Sequence, residues 1–331
     1  MIVIHPGALG DVLLALPAIR RLRLRHHRHE LVLIARPSIS RFLMGCHEID
    51  QWISFEDQDC VGLFSTIPCS SERLQSWLKR CESAVAWLED KGGALSDTLE
   101  QCGVTNKRIQ SPFSPTLMQP HQSYRFLESI GESPTTLEVS QTLQIQNEIV
   151  ELARAYLESC AIPRGQPIVL VHPGSGSMHK CMSPTLIASL IQGLRHSGMY
   201  PLIVEGPADR DMVERVFAVG DVHPVVLQGL DLPLLAGILT QIDVYVGHDS
   251  GVTHLAASLG VKTLAIFGPT DPCRWAPLGS HVTVAQGLPC TCQSWEAVGR
   301  CANRACLDIP VDKVLQMAVE CLQRSNDYKP L

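Results

Sequence analysis

Aromatic residues are scarce, at 5% of the chain, and neither sign of charge dominates, with 27 Lys and Arg against 33 Asp and Glu for a net charge of −6. A polymer of nucleotides is held by a basic field and by aromatic faces for its bases, and neither is present here, so a nucleic-acid partner is excluded. Long apolar runs are also missing. The stretch Val12–Ile19 is the nearest approach and falls far short of the roughly 18 apolar residues of a membrane span. No small-residue cleavage pattern follows it, so a signal peptide is not expected and the chain is placed in the cytoplasm. Short-period repeats and low-complexity tracts are absent. The turn after the first strand has Gly7 and Gly10 but not the third glycine of G-x-G-x-x-G, which argues against a dehydrogenase. Cysteine, by contrast, is plentiful. Thirteen residues is an odd number, which argues against a complete disulfide framework, and thiols in a cytoplasmic protein are ordinarily reduced.

Against these absences stand 331 residues, 45% of them hydrophobic, enough for two cores. MIVIH at the N-terminus reads as a short buried strand. A glycine turn, PGALGD, leads to a helix from about Val12 to Arg25, with apolar residues at helical spacing, and then to a second strand, Leu31–Ala35. The same grammar returns at Ile168–His172, where IVLVH runs into PGSGS and a helix over Pro184–His196. Further strands are expected at Pro201–Val204, Val244–Val246 and Lys262–Phe267, and helices at Leu232–Leu239, Val252–Leu259 and Val311–Arg324. Residues 36–145 are less patterned. A strand at Ser83–Leu88, helices at Leu95–Cys102 and Gln122–Ile130, and a proline-rich loop over 111–120 are expected there. Alternating strands and helices predict α/β architecture with parallel sheets. The expectation is two Rossmann-like, doubly wound domains, 1–158 and 167–331, joined after the helix Glu148–Glu158 by SCAIPRGQP and facing each other across a cleft.

Ligands of such sheets bind beyond the carboxyl ends of strands, so the strand-to-helix turns are where chemistry is sought. In the first turn Gly7 and Gly10 let backbone approach a ligand, and Asp11 is either a general base or a helix cap. In the second, Ser175, Ser177 and Lys180 offer hydroxyls and a point charge to phosphate at a helix start, against the plainer reading of a flexible turn with a surface lysine. In the third, GHDSGVTH, Ser250 and Gly251 can donate to phosphate oxygens. There Asp249 either caps the helix or accepts from a sugar hydroxyl, and His254 is either structural or faces the ligand. The fourth, FGPTDP over 267–272, is explained by turn geometry alone.

Taken in order, HPGALGDVLLALPAIRRLR, the HPGSGS turn with its lysine, HDSGVTHLAASLG and the GPTDP segment with its following tryptophan resemble the heptosyltransferase family, glycosyltransferase family 9. The resemblance implies a GT-B fold. It implies an inverting, metal-independent glycosyltransferase that needs no cofactor and takes ADP-heptose or a related nucleotide sugar in the C-terminal domain. The acceptor, a lipopolysaccharide core or other glycan, would be received by the N-terminal domain. Residue by residue, the proposed base falls on Asp11 and the diphosphate-contacting lysine on Lys180, beside Ser175 and Ser177. The nucleoside-contacting acid falls on Asp209, and the D-[ST]-G-x-x-H group on Asp249, Ser250, Gly251 and His254. Many members carry a basic residue where this chain has His5, and Arg73, Lys107 and Arg108 are the candidates for acceptor-side cations. A nucleotide-sugar 2-epimerase and a non-catalytic nucleotide-sugar binder are the competing functions.

Two further segments are open. The basic cluster RRLRLRHHRH, residues 20–29, is either a solvated helix end or a transient contact with the inner face of the inner membrane. Cys290, Cys292, Cys301 and Cys306 crowd into 17 residues and read as free thiols, as ligands of a structural zinc, or as a disulfide.

Overall fold

The protein is described by a computed structural model over residues 1–64, 72–112, 120–133, 142–163, 165–220 and 223–324. The chain separates into two compact units, Met1–Val139 and Ser140–Leu331.

The first unit contains β1 (Ile2–Ile4), α1 (Leu9–Arg25), β2 (Val32–Ala35), α2 (Pro37–Gly45), β3 (Gln51–Ser54), α3 (Gln58–Val61), α4 (Glu72–Lys79), β4 (Ser83–Ala86), α5 (Ala94–Gln101), β5 (Asn106–Ile109) and α6 (Gln122–Ser129). Its five strands are ordered β3-β2-β1-β4-β5 and all pairings are parallel. A parallel sheet is covered on both faces, which is why β1, β2 and β4 are fully buried and read in sequence as apolar runs, broken only by Ser83 of β4. The edges differ. β5 is NKRI, with alternate residues exposed.

The second unit contains α7 (Asn147–Ser159), β6 (Ile168–His172), α8 (Pro184–His196), β7 (Tyr200–Glu205), α9 (Arg210–Val219), β8 (Val225–Gln228), α10 (Leu232–Leu239), β9 (Val244–His248), α11 (Gly251–Ser258), β10 (Thr263–Phe267), α12 (Pro272–Trp275), β11 (Val282–Gln286), α13 (Trp295–Arg300) and α14 (Val311–Gln323). Its six-stranded parallel sheet runs β11-β10-β9-β6-β7-β8. This is the doubly wound order in which the first strand, β6, has its successor β7 on one side and the later β9 on the other. Its core packs α8, α9 and α14 side chains such as Ile187, Val213 and Val314 onto one face of the sheet, each buried aliphatic contributing roughly 1.5–3 kcal/mol.

Both domains are therefore parallel-sheet α/β units, as the sequence pattern predicts. The compact units meet at 139/140, whereas the sequence reading placed the join at 159–167. The reason lies in α7, which packs on α10. A Cβ at Gly237 of α10 would stand 2.8 Å from the Ile149 carbonyl oxygen of α7, an approach open only to glycine. The proline-rich loop falls mostly outside the described residues.

Candidate active site

In the second unit the strand order reverses between β6 and β9, and the two turns that follow these strands are neighbours because His172 is in register with Gly247. The first, Pro173–Ser177, passes into a turn of 3-10 helix, Met178–Lys180, which Ser177 caps by accepting from the His179 N–H. The second ends in Ser250, the N-cap of α11, whose hydroxyl accepts from the Thr253 N–H at 3.4 Å. Serine suits this place because its oxygen satisfies one of the unpaired N–H groups of a helix start.

Asp249 joins the turns. Its carboxylate Oδ2 accepts from Lys180 Nζ at 2.8 Å and from Thr270 Oγ1 at 2.8 Å, while its carbonyl oxygen accepts from Ser175 Oγ at 2.6 Å. Asp249 is 7% exposed, but Ser250 and Lys180 are half-buried and open to a ligand. The ammonium also lies 5.7 Å from the centroid of the Trp295 ring, within cation–π range. The site thus holds a primary ammonium, two hydroxyls and the N-terminus of α11 in one place, a set suited to a phosphate group.

Behind it lies a second network. His172 Nε2 is 2.9 Å from Asp209 Oδ2, and His172 Nδ1 is 3.3 Å from Ser250 Oγ. Asp209 Oδ2 also accepts from the Gly206 N–H at 2.8 Å. Burial pushes the Asp209 carboxyl up, but the hydrogen bond from His172 and the Gly206 amide outweigh it and hold the group below the ordinary carboxylate range. Gly174 is what lets the acid come so close, since a Cβ there would stand 1.7 Å from Asp209 Oδ1. The acid expected to meet the nucleoside is therefore 5% exposed and lies under the Gly174 turn. His248 accepts from the Met182 N–H at 3.0 Å, and burial pushes it down to about 4. His254 is buried on the first turn of α11.

In the first unit the corresponding turn follows β1. Asp11 stands in the first turn of α1 and its Oδ2 accepts from the Ala8 N–H at 3.1 Å, so the carboxylate closes the start of its own helix. His5 Nδ1 accepts from the Gly7 N–H at 3.2 Å, and its ring packs against Trp87 and Phe126, at 5.7 and 5.4 Å between centroids. Burial pushes His5 down to about 4, so at neutral pH it is an uncharged ring that shapes the turn and brings no cation to it. Gly10 lies inside α1.

The acceptor-side cations proposed from sequence are already engaged. Lys107 Nζ is 2.7 Å from Glu100 Oε2, and Arg108 donates to the Ser129 carbonyl at 3.2 Å. The Arg73 side chain lies outside the described residues. Acids meet much of the basic stretch 20–29. Arg20 pairs with Glu48 and Arg23 with Asp50 at 2.8 Å, and Arg25 pairs with Glu132. Among the described residues no helix is long and apolar enough to cross a membrane.

Cys290, Cys292 and Cys301 are half-buried and Cys306 is buried, all as free thiols. Cys292 hydrogen-bonds with Cys290 and Cys301, and Cys306 with Cys290. Among the described residues no group of three or more His, Cys, Asp or Glu is arranged to hold a metal ion. The segment touches the phosphate turn directly. It carries Trp295, and Arg304 donates to the carbonyl oxygens of Met178 and Cys181 at 2.9 and 2.8 Å. Trp295, Arg304 and Thr270 were not singled out in the sequence. Thr270 was dismissed with its turn, and the other two sit among cysteines that drew attention to themselves.

Two doubly wound parallel-sheet domains, the second with a lysine and a helix N-terminus at its topological switch point, define an α/β protein of the GT-B kind. The pattern of glycosyltransferase family 9 (heptosyltransferase) matches residues 122–297, more than half of the chain, and the chain belongs to that family. Lipopolysaccharide heptosyltransferase 3 of Escherichia coli is 25% identical over 122 residues, 36% of this chain and 36% of that protein. The chain matches less than half the length of this and three further curated relatives. Among solved structures, a family 9 glycosyl transferase from Veillonella parvula superposes with a TM-score of 0.81 at 18% identity, covering 98% of this chain and 97% of that one. The ADP-heptose lps heptosyltransferase II of E. coli does so with a TM-score of 0.74 at 16% identity, covering 97% and 98%. These likenesses establish the fold over the whole chain.

Proposed function

We propose that the chain is an inverting, metal-independent glycosyltransferase that moves a heptose or related sugar from an ADP-linked donor to a lipopolysaccharide-core or other glycan acceptor. Membership of family 9 supports the reaction class, and ADP-heptose is the donor named for the E. coli structural neighbour. One observation carries the reading for this chain, the convergence of Lys180, Ser175, Ser250 and the α11 N-terminus at the carboxyl ends of β6 and β9.

The chemistry follows from those groups. The donor's diphosphate leaves with negative charge, and the Lys180 ammonium, the Ser250 hydroxyl and the α11 amides supply the compensating field, so no divalent cation is required. Ser177, through its place in the same turn, and Gly251, the first residue of α11, complete the phosphate cradle. Asp249 and His254 serve the sugar, and Asp209 serves the nucleoside end through the 205–209 turn. Asp11 removes the proton of the acceptor hydroxyl, which attacks the anomeric carbon on the face opposite the departing diphosphate and inverts it. The enzyme acts in the cytoplasm, at most peripherally against the inner membrane.

Calorimetric titration with ADP-, UDP-, GDP- and CDP-sugars, followed by mass spectrometry of a lipopolysaccharide-core acceptor incubated with the best donor and EDTA, tests this. Preferential ADP-sugar binding with sugar transfer in EDTA is expected. Binding without transfer to any acceptor would leave a nucleotide-sugar sensor, and release of a 2-epimeric sugar nucleotide would leave an epimerase.

A further inference from the structure

The trio Ser250–His172–Asp209 is more than a helix cap needs. The α11 cap is complete once Ser250 Oγ accepts from the Thr253 N–H, yet a buried imidazole stands behind the same oxygen at 3.3 Å and is held from its far side by a buried carboxylate at 2.9 Å. Asp209, ionised, can only accept, so His172 Nε2 carries a hydrogen. With Nδ1 unprotonated, the hydroxyl hydrogen of Ser250 is drawn inward, to His172 or to Thr253 Oγ1 at 3.1 Å. Thr253 can accept it because its own hydrogen goes to the His248 carbonyl. In that state Ser250 turns lone pairs toward the mouth of the site, the wrong polarity for an anion.

We propose that His172 is a proton-accepting positioning residue beneath the donor diphosphate. As the anion binds, Nδ1 takes one proton from solvent and donates it in a hydrogen bond to Ser250 Oγ, and the Ser250 hydroxyl hydrogen turns outward onto a phosphate oxygen. This rests on the nucleotide-diphosphate reading of the site. The imidazolium so formed faces Asp209 before α9 and His248 on β9; Asp209 in turn acts on Tyr245 of β9 and Cys181 before α8, and His248 feels Arg304 after α13. His248 does not compete for the proton, being buried and held neutral. Lys180 is a fixed cation whose charge is partly offset by Asp249. The arriving negative charge therefore meets a buried group that gains a proton in response, which a fixed cation does not do.

The test is calorimetry of ADP binding at pH 8, where the phosphates of ADP are fully ionised, repeated in buffers of different ionisation enthalpy. The intact protein should take up about one proton per ADP bound. His172→Gln, whose amide can still reach Asp209, should bind ADP about 5–20-fold more weakly with the uptake lost. ADP binding without proton uptake in the intact protein, or an unchanged uptake in His172→Gln, overturns the proposal and leaves the donor reading standing. Failure of ADP to bind overturns both. Should His172→Gln not fold, 15N-histidine NMR of the unaltered protein decides. One neutral ring converting to imidazolium on ADP addition supports the proposal, and no ring converting overturns it.

Discussion

The Lys180 ammonium lies 2.8 Å from the Asp249 carboxylate, although the two residues are 69 positions apart and sit on turns that follow different strands. The pair holds a flexible side chain where a phosphate would arrive, so that little ordering remains to be done when it binds. Lys180→Ala removes both the charge and the contact with Trp295. Donor affinity should fall about 10–100-fold, read as Kd by calorimetry. Lys180→Arg should recover only part of the loss, since a planar fork does not replace a point charge at this distance.

Asp11 should behave oppositely. It belongs to the first unit, whereas every residue proposed above to meet the phosphates belongs to the second. Asp11→Asn keeps an oxygen that can accept from the Ala8 amide, so α1 should start as before. Transfer should fall about 100–10,000-fold while donor Kd stays within about 2-fold. A full transfer rate in this variant would remove Asp11 from the mechanism.

Gly174 supplies a test of packing at the site. A methyl group there would drive into Asp209, with 1.7 Å between the new carbon and Oδ1. Gly174→Ala should cost about 2–4 kcal/mol of unfolding free energy, measured in urea. Adding Asp209→Ala should cost less than the sum of the two single changes, because the second removes the atoms that clash with the first.

How much of this was open to inspection in the sequence depended on where each residue sits. β6, α8 and α10 match their expected limits because buried apolar runs flanked by proline or glycine are unambiguous. The edge strands β3 and β8 were passed over, since QWIS and VVLQ expose residues at one end, and short amphipathic strands do not stand out. Residues within one turn, such as Asp249, Ser250 and Gly251, marked a candidate anion site. The His172–Asp209 contact and the Asp249–Thr270 contact did not, because each depends on which strands become neighbours, and no local spacing encodes that.

Acid should expose the two buried histidines. His5 and His248 have folded-state values pushed from 6.5 to about 4 by burial. The unfolded chain therefore binds more protons than the folded one across that interval. The stability they confer is complete above pH 6.5 and is lost as pH falls toward 4, by up to about 3 kcal/mol for each. Unfolding midpoints in urea should decline across this window, and His5→Asn should flatten the decline.

The thiols of the 290–306 segment should differ in reactivity. The Arg304 backbone N–H, then the Cys292 thiol, stabilise a Cys301 thiolate and lower its pKa. Desolvation, then hydrogen bonds with Cys290 and Cys301, push Cys292 up to about 11. Brief iodoacetamide treatment at pH 8 followed by peptide mapping should label Cys301 several-fold ahead of Cys292.

The polar rim strand β5 has a consequence for how the protein behaves when crowded. A sheet border offers unpaired amides and carbonyls to any extended neighbour, and cationic side chains there penalise such docking. Lys107 and Arg108 occupy this border, the first paired with Glu100 and the second tethered to the Ser129 carbonyl. Replacing both with valine would lengthen the apolar border and favour lateral growth of one sheet onto another, so colloidal solubility is written into two side chains of the first unit's edge strand.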